Sequence, residues 1–191
     1  RSDRYPDTMR RAQAWLDQNK GPHGRLTSAI EAAYGSDRTF SVPILMTMAL
    51  SGRLGPDGWR QVPGLPFELA AFPRSWFGAL QLPVVSYALP ALIAIGQVIH
   101  HHAPSRNPLA RFLRWMTAAP TQRTLETLQP PNGGFLEATP LTAFVTMSFA
   151  SLGLWDGLVA TKGASFLRAS ARPDGSWPID TNLATWLTTL S

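Results

Sequence analysis

The chain has 191 residues, a formal net charge of +5 and no cysteine, which excludes disulfides, thiolate-bound metals and cysteine catalysis. Its 45% apolar content argues for a packed core, and its 15% charged content is low against the roughly 25% usual in soluble domains. Seven Trp and nine Phe need burial or a greasy partner, and seventeen Pro imply short elements with hard stops. The basic residues are scattered arginines with little lysine, a pattern that suits an anionic membrane surface better than a nucleic-acid groove.

Strand signals are sparse. Apolar residues recur at helical spacing in 41–50, 109–116, 141–152, 163–169 and 183–190. Between them lie the turn clusters NKGPHG (19–24), RLGPDG (53–58), QPPNGG (129–134) and RPDG (172–175). Short helices joined by Gly/Pro turns predict an all-α array of helical hairpins. Residues 76–99 carry no Asp, Glu, Lys or Arg, long enough to raise a membrane span. Pro83 and Pro90 would break the bonding that a lipid-exposed span needs, so a buried helix or a membrane-dipping segment is expected instead. Phe67, Phe72, Trp76 and Phe77 just before it suit the dipping version.

A template recurs three times. Arg11-Ala12, Trp15-Leu16, Lys20 and Gly24-x-Leu26 form the first copy. Leu125, Gln129 and Gly133-x-Phe135 form the second. Lys162-Gly163, Phe166-Leu167, Ala171 and Gly175-x-Trp177 form the third. Each is a helix end, a glycine turn and an aromatic or apolar residue leading into the next helix.

These residues resemble the repeat of the squalene-hopene cyclase and oxidosqualene cyclase family, which runs basic, Gly or Ala, aromatic-Leu, Gln, then Gly-x-Trp. In that repeat the Gln amide ties neighbouring helix ends and the Trp stacks over it. The copies here are degenerate: only Gln129 keeps the Gln and only Trp177 keeps the Trp. Val62-Pro63-x-Leu65-Pro66-x-Glu68-Leu69, Phe72-Pro73-Arg74 and Ser86-Tyr87-Ala88 resemble further family segments in the same order. The likeness runs from about Arg38 to the end at low identity. It implies an α/α barrel (toroid), with 1–176 like the family's inserted second barrel and 177–191 the start of the catalytic barrel. It also implies a monotopic membrane protein at the cytoplasmic face, a homodimer, and a squalene-like substrate with no cofactor or metal. Phe72, Trp76 and Phe77 would touch the membrane. Tyr87, Ile179 and Asp180 would line the substrate cavity, and Gln129, Gly133, Phe135, Gly175 and Trp177 would carry the structural repeat.

Family members protonate an alkene with an Asp-x-Asp-Asp acid, which needs neighbouring carboxylates to tune it. Asp180 has none within Trp177–Asn182 apart from itself, and Asp174 belongs to a Pro-Asp-Gly turn. Ile179-Asp180-Thr181-Asn182-Leu183-Ala184 resembles instead a family Trp-Asp-Thr-Gly-Leu-Ala segment one repeat before the acid. Asp180 is therefore expected to cap a helix or wall the cavity, with the acid beyond Ser191. Consecutive histidines point different ways on a helix, so His100-His101-His102 reads as a solvated helix end before Pro104 rather than a metal site. Two functions follow: part of a cyclase catalysing acid-initiated polyene cyclisation, or a non-catalytic isoprenoid- or lipid-binding module. A zinc prenyltransferase relative is disfavoured by the missing thiolate.

Overall fold

The computed structural model describes residues 6–20, 26–34, 38–72 and 89–181. Among them the protein is all-helical, with no strand and one isolated antiparallel bridge between Ala138 and Asp180. The helices are α1 (Pro6–Lys20), α2 (Leu26–Tyr34), α3 (Arg38–Leu50), α4 (Leu89–His102), α5 (Pro108–Leu128), α6 (Thr139–Ser151) and α7 (Leu158–Ala169). Short 3₁₀ turns lie at Gly58–Gln61, Phe67–Ala71 and Phe135–Glu137. Four of the five segments with helical apolar spacing fall inside α3, α5, α6 and α7, with α6 stopping one residue short at Ser151. The fifth, 183–190, lies outside the described residues, as does most of the uncharged run before α4.

The chain divides into two compact units, Arg1–Pro63 and Gly64–Ser191. The boundary expected at 176/177 falls inside the second. The first unit packs α2 on α3 and buries Ile30, Val42, Leu45, Met46, Ala49, Leu54 and Val62. Pro43 sits inside α3 without ending it, and the Thr47 hydroxyl donates to the Pro43 carbonyl at 2.9 Å.

In the second unit α6 packs on both α4 and α7, while α5 packs on α4 and on the Phe67–Ala71 turn. Ile93, Ala94, Leu125, Phe135, Val145, Phe149, Val159 and Ala160 form one core. A polar seam joins α4 to α5. Gln97 donates through Nε2 to Thr121 Oγ1 at 2.7 Å and to the Ala118 carbonyl at 3.0 Å, and it accepts from Gln122 Nε2 at 2.8 Å. A buried amide so fully bonded fixes the register of two helices, because sliding either one would strand polar groups in the core.

The second and third template copies each turn on a glycine of positive φ, Gly133 and Gly175, whose amides donate to the carbonyls of Pro130 and Arg172 at 2.9 Å. Gln129 is the C-cap of α5 and is buried. Its Nε2 donates to the Gly133 carbonyl at 3.0 Å, closing its own turn, and to the Val159 carbonyl of α7 at 3.0 Å. Gly133 has φ +88°, and a Cβ there would stand 2.3 Å from the Lys162 carbonyl of α7. Glycine is required by the backbone conformation and by the approach. In the third copy Gly175 has φ +81°, and the Trp177 indole donates to the Leu167 carbonyl in the last turn of α7 at 2.7 Å. The glycine turn of the first copy lies outside the described residues.

Candidate functional site

The segment following the third copy is stitched to the start of α6. The Thr139 amide donates to the Ile179 carbonyl at 2.9 Å, and the Thr139 hydroxyl donates to the Pro178 carbonyl. Thr181 donates from its amide to the Glu137 carbonyl at 3.0 Å, flanking the Ala138–Asp180 bridge. Leu136 and Glu137 take positive φ values of 52° and 55°, which non-glycine residues adopt rarely. That turn is what aims the Glu137 carbonyl at Thr181.

An open cleft of about 360 Å³ results, lined by Thr139, Pro140, Ala143, Leu167, Trp177, Pro178 and Ile179. Its lining has no titratable side chain. Thr139 is its one hydroxyl, and that hydroxyl is already committed to Pro178. The Trp177 N–H is likewise committed to Leu167. What remains on offer is hydrocarbon and an indole ring. Trp177 is 53% exposed and Ile179 is 75% exposed, so both present large apolar surface to whatever occupies the cleft.

Of the expected cavity residues, Ile179 lines this cleft, and Asp180 sits half-buried beside it in the bridge to Ala138. The helix that Asp180 was expected to cap lies outside the described residues. Tyr87, Trp76 and Phe77 also lie outside them, and Phe72 is half-buried after the Phe67–Ala71 turn. Phe135 is buried in the core, and Gly175 turns the chain toward Trp177.

Two histidine arrangements were not legible in the sequence. His100, expected to be solvated, is half-buried against the Phe67 ring with centroids 6.2 Å apart. Beside it Arg114 Nε donates to Glu68 Oε2 at 3.1 Å, with both side chains at most 16% exposed, and the guanidinium lies 5.8 Å from the Phe67 ring centre. Burial, and next the Arg114 charge, lower the His100 pKa from its usual value, while Glu68 opposes them. Glu68 and Arg114 are 46 residues apart, so no local pattern could pair them. At the other end of the triplet, His102 Nε2 lies 2.8 Å from Ser151 Oγ. Both residues end helices, so carbonyl oxygens gather there, the opposite of the N–H donors that an acyl-transfer oxyanion needs. Among the described residues no three His, Asp or Glu side chains converge on a metal-sized point, and no helix is long and apolar enough to cross a membrane.

Comparison with protein-family models, with curated proteins and with solved structures finds no match.

Proposed function

We propose that the protein holds a long apolar chain, an isoprenoid hydrocarbon such as squalene, against the cleft at Trp177 and Ile179. The module doing so is a set of helical hairpins related to the α/α barrel of the triterpene cyclases. The cleft's chemistry carries the reading: its donors are internally satisfied, so it rewards a ligand with no polar groups and penalises one that needs partners. An indole face also suits the π-rich, methyl-branched surface of a polyprene.

Acid-initiated polyene cyclisation by a protein that contains this module is the second reading. Gln129 favours it, because its side chain ties the ends of α5 and α7 at the position where the resemblance implies such a tie. In that chemistry a carboxylic acid protonates a terminal alkene, rings close through carbocations, and loss of a proton or capture of water ends the sequence.

Squalene delivered from cyclodextrin tests the first reading. Wild-type protein should bind it, and Trp177→Ala should weaken binding about tenfold, the effect of losing roughly 1.4 kcal/mol. Ile179→Asp, which puts a charge on the wall, should abolish it. Equal binding by both variants would sink the proposal. Chromatography of hydrocarbon recovered from a protein that carries this module together with an acidic motif addresses the second reading: new cyclic products that persist in Asp180→Asn would support it, and unchanged squalene would leave a binding module.

A further inference from the structure

The outer side of α5 is apolar where a solvated helix should be polar. Leu109 (77% exposed), Phe112, Trp115 (74%), Met116 and Ala119 recur at i, i+3, i+6, i+7 and i+10, so they form one stripe along the first three turns. The side facing the core carries Thr117, Thr121 and Leu125, about 180° round the helix at 100° per residue. The Phe112 and Trp115 rings lie 6.1 Å apart, at an interplanar angle of 30°. This helix therefore has an exposed apolar face as well as a buried one.

Charge selects the occupant. From residue 69 to residue 125 the chain has no Asp or Glu at all, yet it contains Arg74, Arg106, Arg111, Arg114 and Arg123 together with the three histidines. Arg106, Arg111 and Arg123 are exposed, and none of them joins an ion pair among the described residues. Arg106 precedes the stripe, Arg111 lies within its length and Arg123 follows it one turn on. A second copy of this helix would bring like charges together. A nucleic-acid backbone would satisfy the arginines but leave Leu109, Phe112 and Met116 against phosphate. An anionic bilayer surface satisfies both, with rings and aliphatic chains in the acyl boundary and guanidinium groups at the headgroups.

We infer that the outer face of α5 lies in the plane of an anionic lipid surface, with Leu109, Phe112, Trp115 and Met116 inserted and Arg106 and Arg111 on the headgroups. The face belongs to α5, not to the 72–77 stretch of sequence for which the family resemblance implied membrane contact, and it does not depend on what the cleft binds.

Co-sedimentation with vesicles of phosphatidylcholine, with and without phosphatidylglycerol, tests it on the intact protein. Binding should be strong with phosphatidylglycerol, weak without it, and weakened by salt. Arg106→Gln and Arg111→Gln should each reduce it about fivefold. Phe112→Ser with Trp115→Ser should remove it while leaving the helical circular dichroism intact, since both positions are exposed. The cleft variant Trp177→Ala/Ile179→Asp should bind vesicles as wild type does, so failure of one proposal is distinguishable from failure of the other. Indifference of the wild-type protein to phosphatidylglycerol would overturn the inference without recourse to any variant. So would a dimer in sedimentation that the Phe112→Ser/Trp115→Ser change dissolves, because the stripe would then belong to a second copy.

Discussion

Gly133 shows how much one residue can be required to do. Its φ of +88° is open to glycine at no steric cost, and the Lys162 carbonyl fills the space where any Cβ would go. Gly133→Ala has to strain the turn and push α7 away at once, so it should destabilise the second unit by about 3 kcal/mol. A urea midpoint lowered at unchanged slope would check that. His100 makes a pH argument. Its pKa in the folded protein is lowered, chiefly by burial, so the unfolded chain binds the proton more readily. Stability from this group is complete above the usual histidine value of 6.5 and is lost as pH falls from there through the lower folded value. His102, also lowered by burial and then by His101, acts in the same direction. The charged groups around His100 are Arg114, Glu68, Arg111 and His101. Urea midpoints measured on both sides of 6.5 should fall on the acid side. His100→Gln should flatten that fall, and an unchanged slope would show that another group sets it.

Among the elements, the join between the 177–181 segment and α6 controls the cleft. Thr139 is buried and holds that segment through both its amide and its hydroxyl. Thr139→Val keeps the shape and the amide bond but removes the hydroxyl, so the Pro178 carbonyl loses its donor at a cost of about 1–2 kcal/mol. Squalene binding should weaken with it, because Trp177 and Ile179 lose part of what holds them at the α6 end. Wild-type affinity at reduced stability would mean that the backbone bonds to Ile179 and Glu137 and the Trp177–Leu167 bond hold the cleft without the hydroxyl. Helices α3, α5, α6 and α7 were legible, since apolar spacing marks them locally, whereas that spacing did not pick out α1, α2 or α4. Which face meets the core was not legible. The apolar set at 109–116 that announces α5 lies mostly on its outer side, while two threonines and Leu125 face inward. Spacing records a helical period, and only the neighbours decide which side is buried. The same limit hid the Glu68–Arg114 pair and the Ala138–Asp180 bridge, which join residues far apart in the chain. The role of Gln129 as a tie between helix ends, made by its bonds to Gly133 and Val159, was implied only by resemblance.

At the scale of the molecule, the two units have separate cores, and this leads to a test of autonomy. Everything that builds the cleft, the outer face of α5 and the His100 cluster lies within Gly64–Ser191. That unit buries Phe67, Ile93, Ile95, Leu125, Phe135, Val145 and Val159 almost completely, and its helices are tied by the Gln97 seam and the Gln129 cap. Arg1–Pro63 has a smaller set of buried side chains, and α1 is exposed over most of its length. A domain of about 60 residues buries only about 60% of its unfolded surface and is marginal without staples. The fragment Gly64–Ser191 should therefore fold alone, unfolding in one cooperative transition at close to the urea midpoint its own residues show in the intact chain. Tryptophan fluorescence reports on it well in that fragment, because Trp115, Trp155 and Trp177 all belong to it. An unfolded fragment would mean that the first unit supplies stability the second lacks. A folded fragment that still binds squalene and phosphatidylglycerol vesicles would assign both surfaces to these residues alone, leaving Arg1–Pro63 to be explained by some other task.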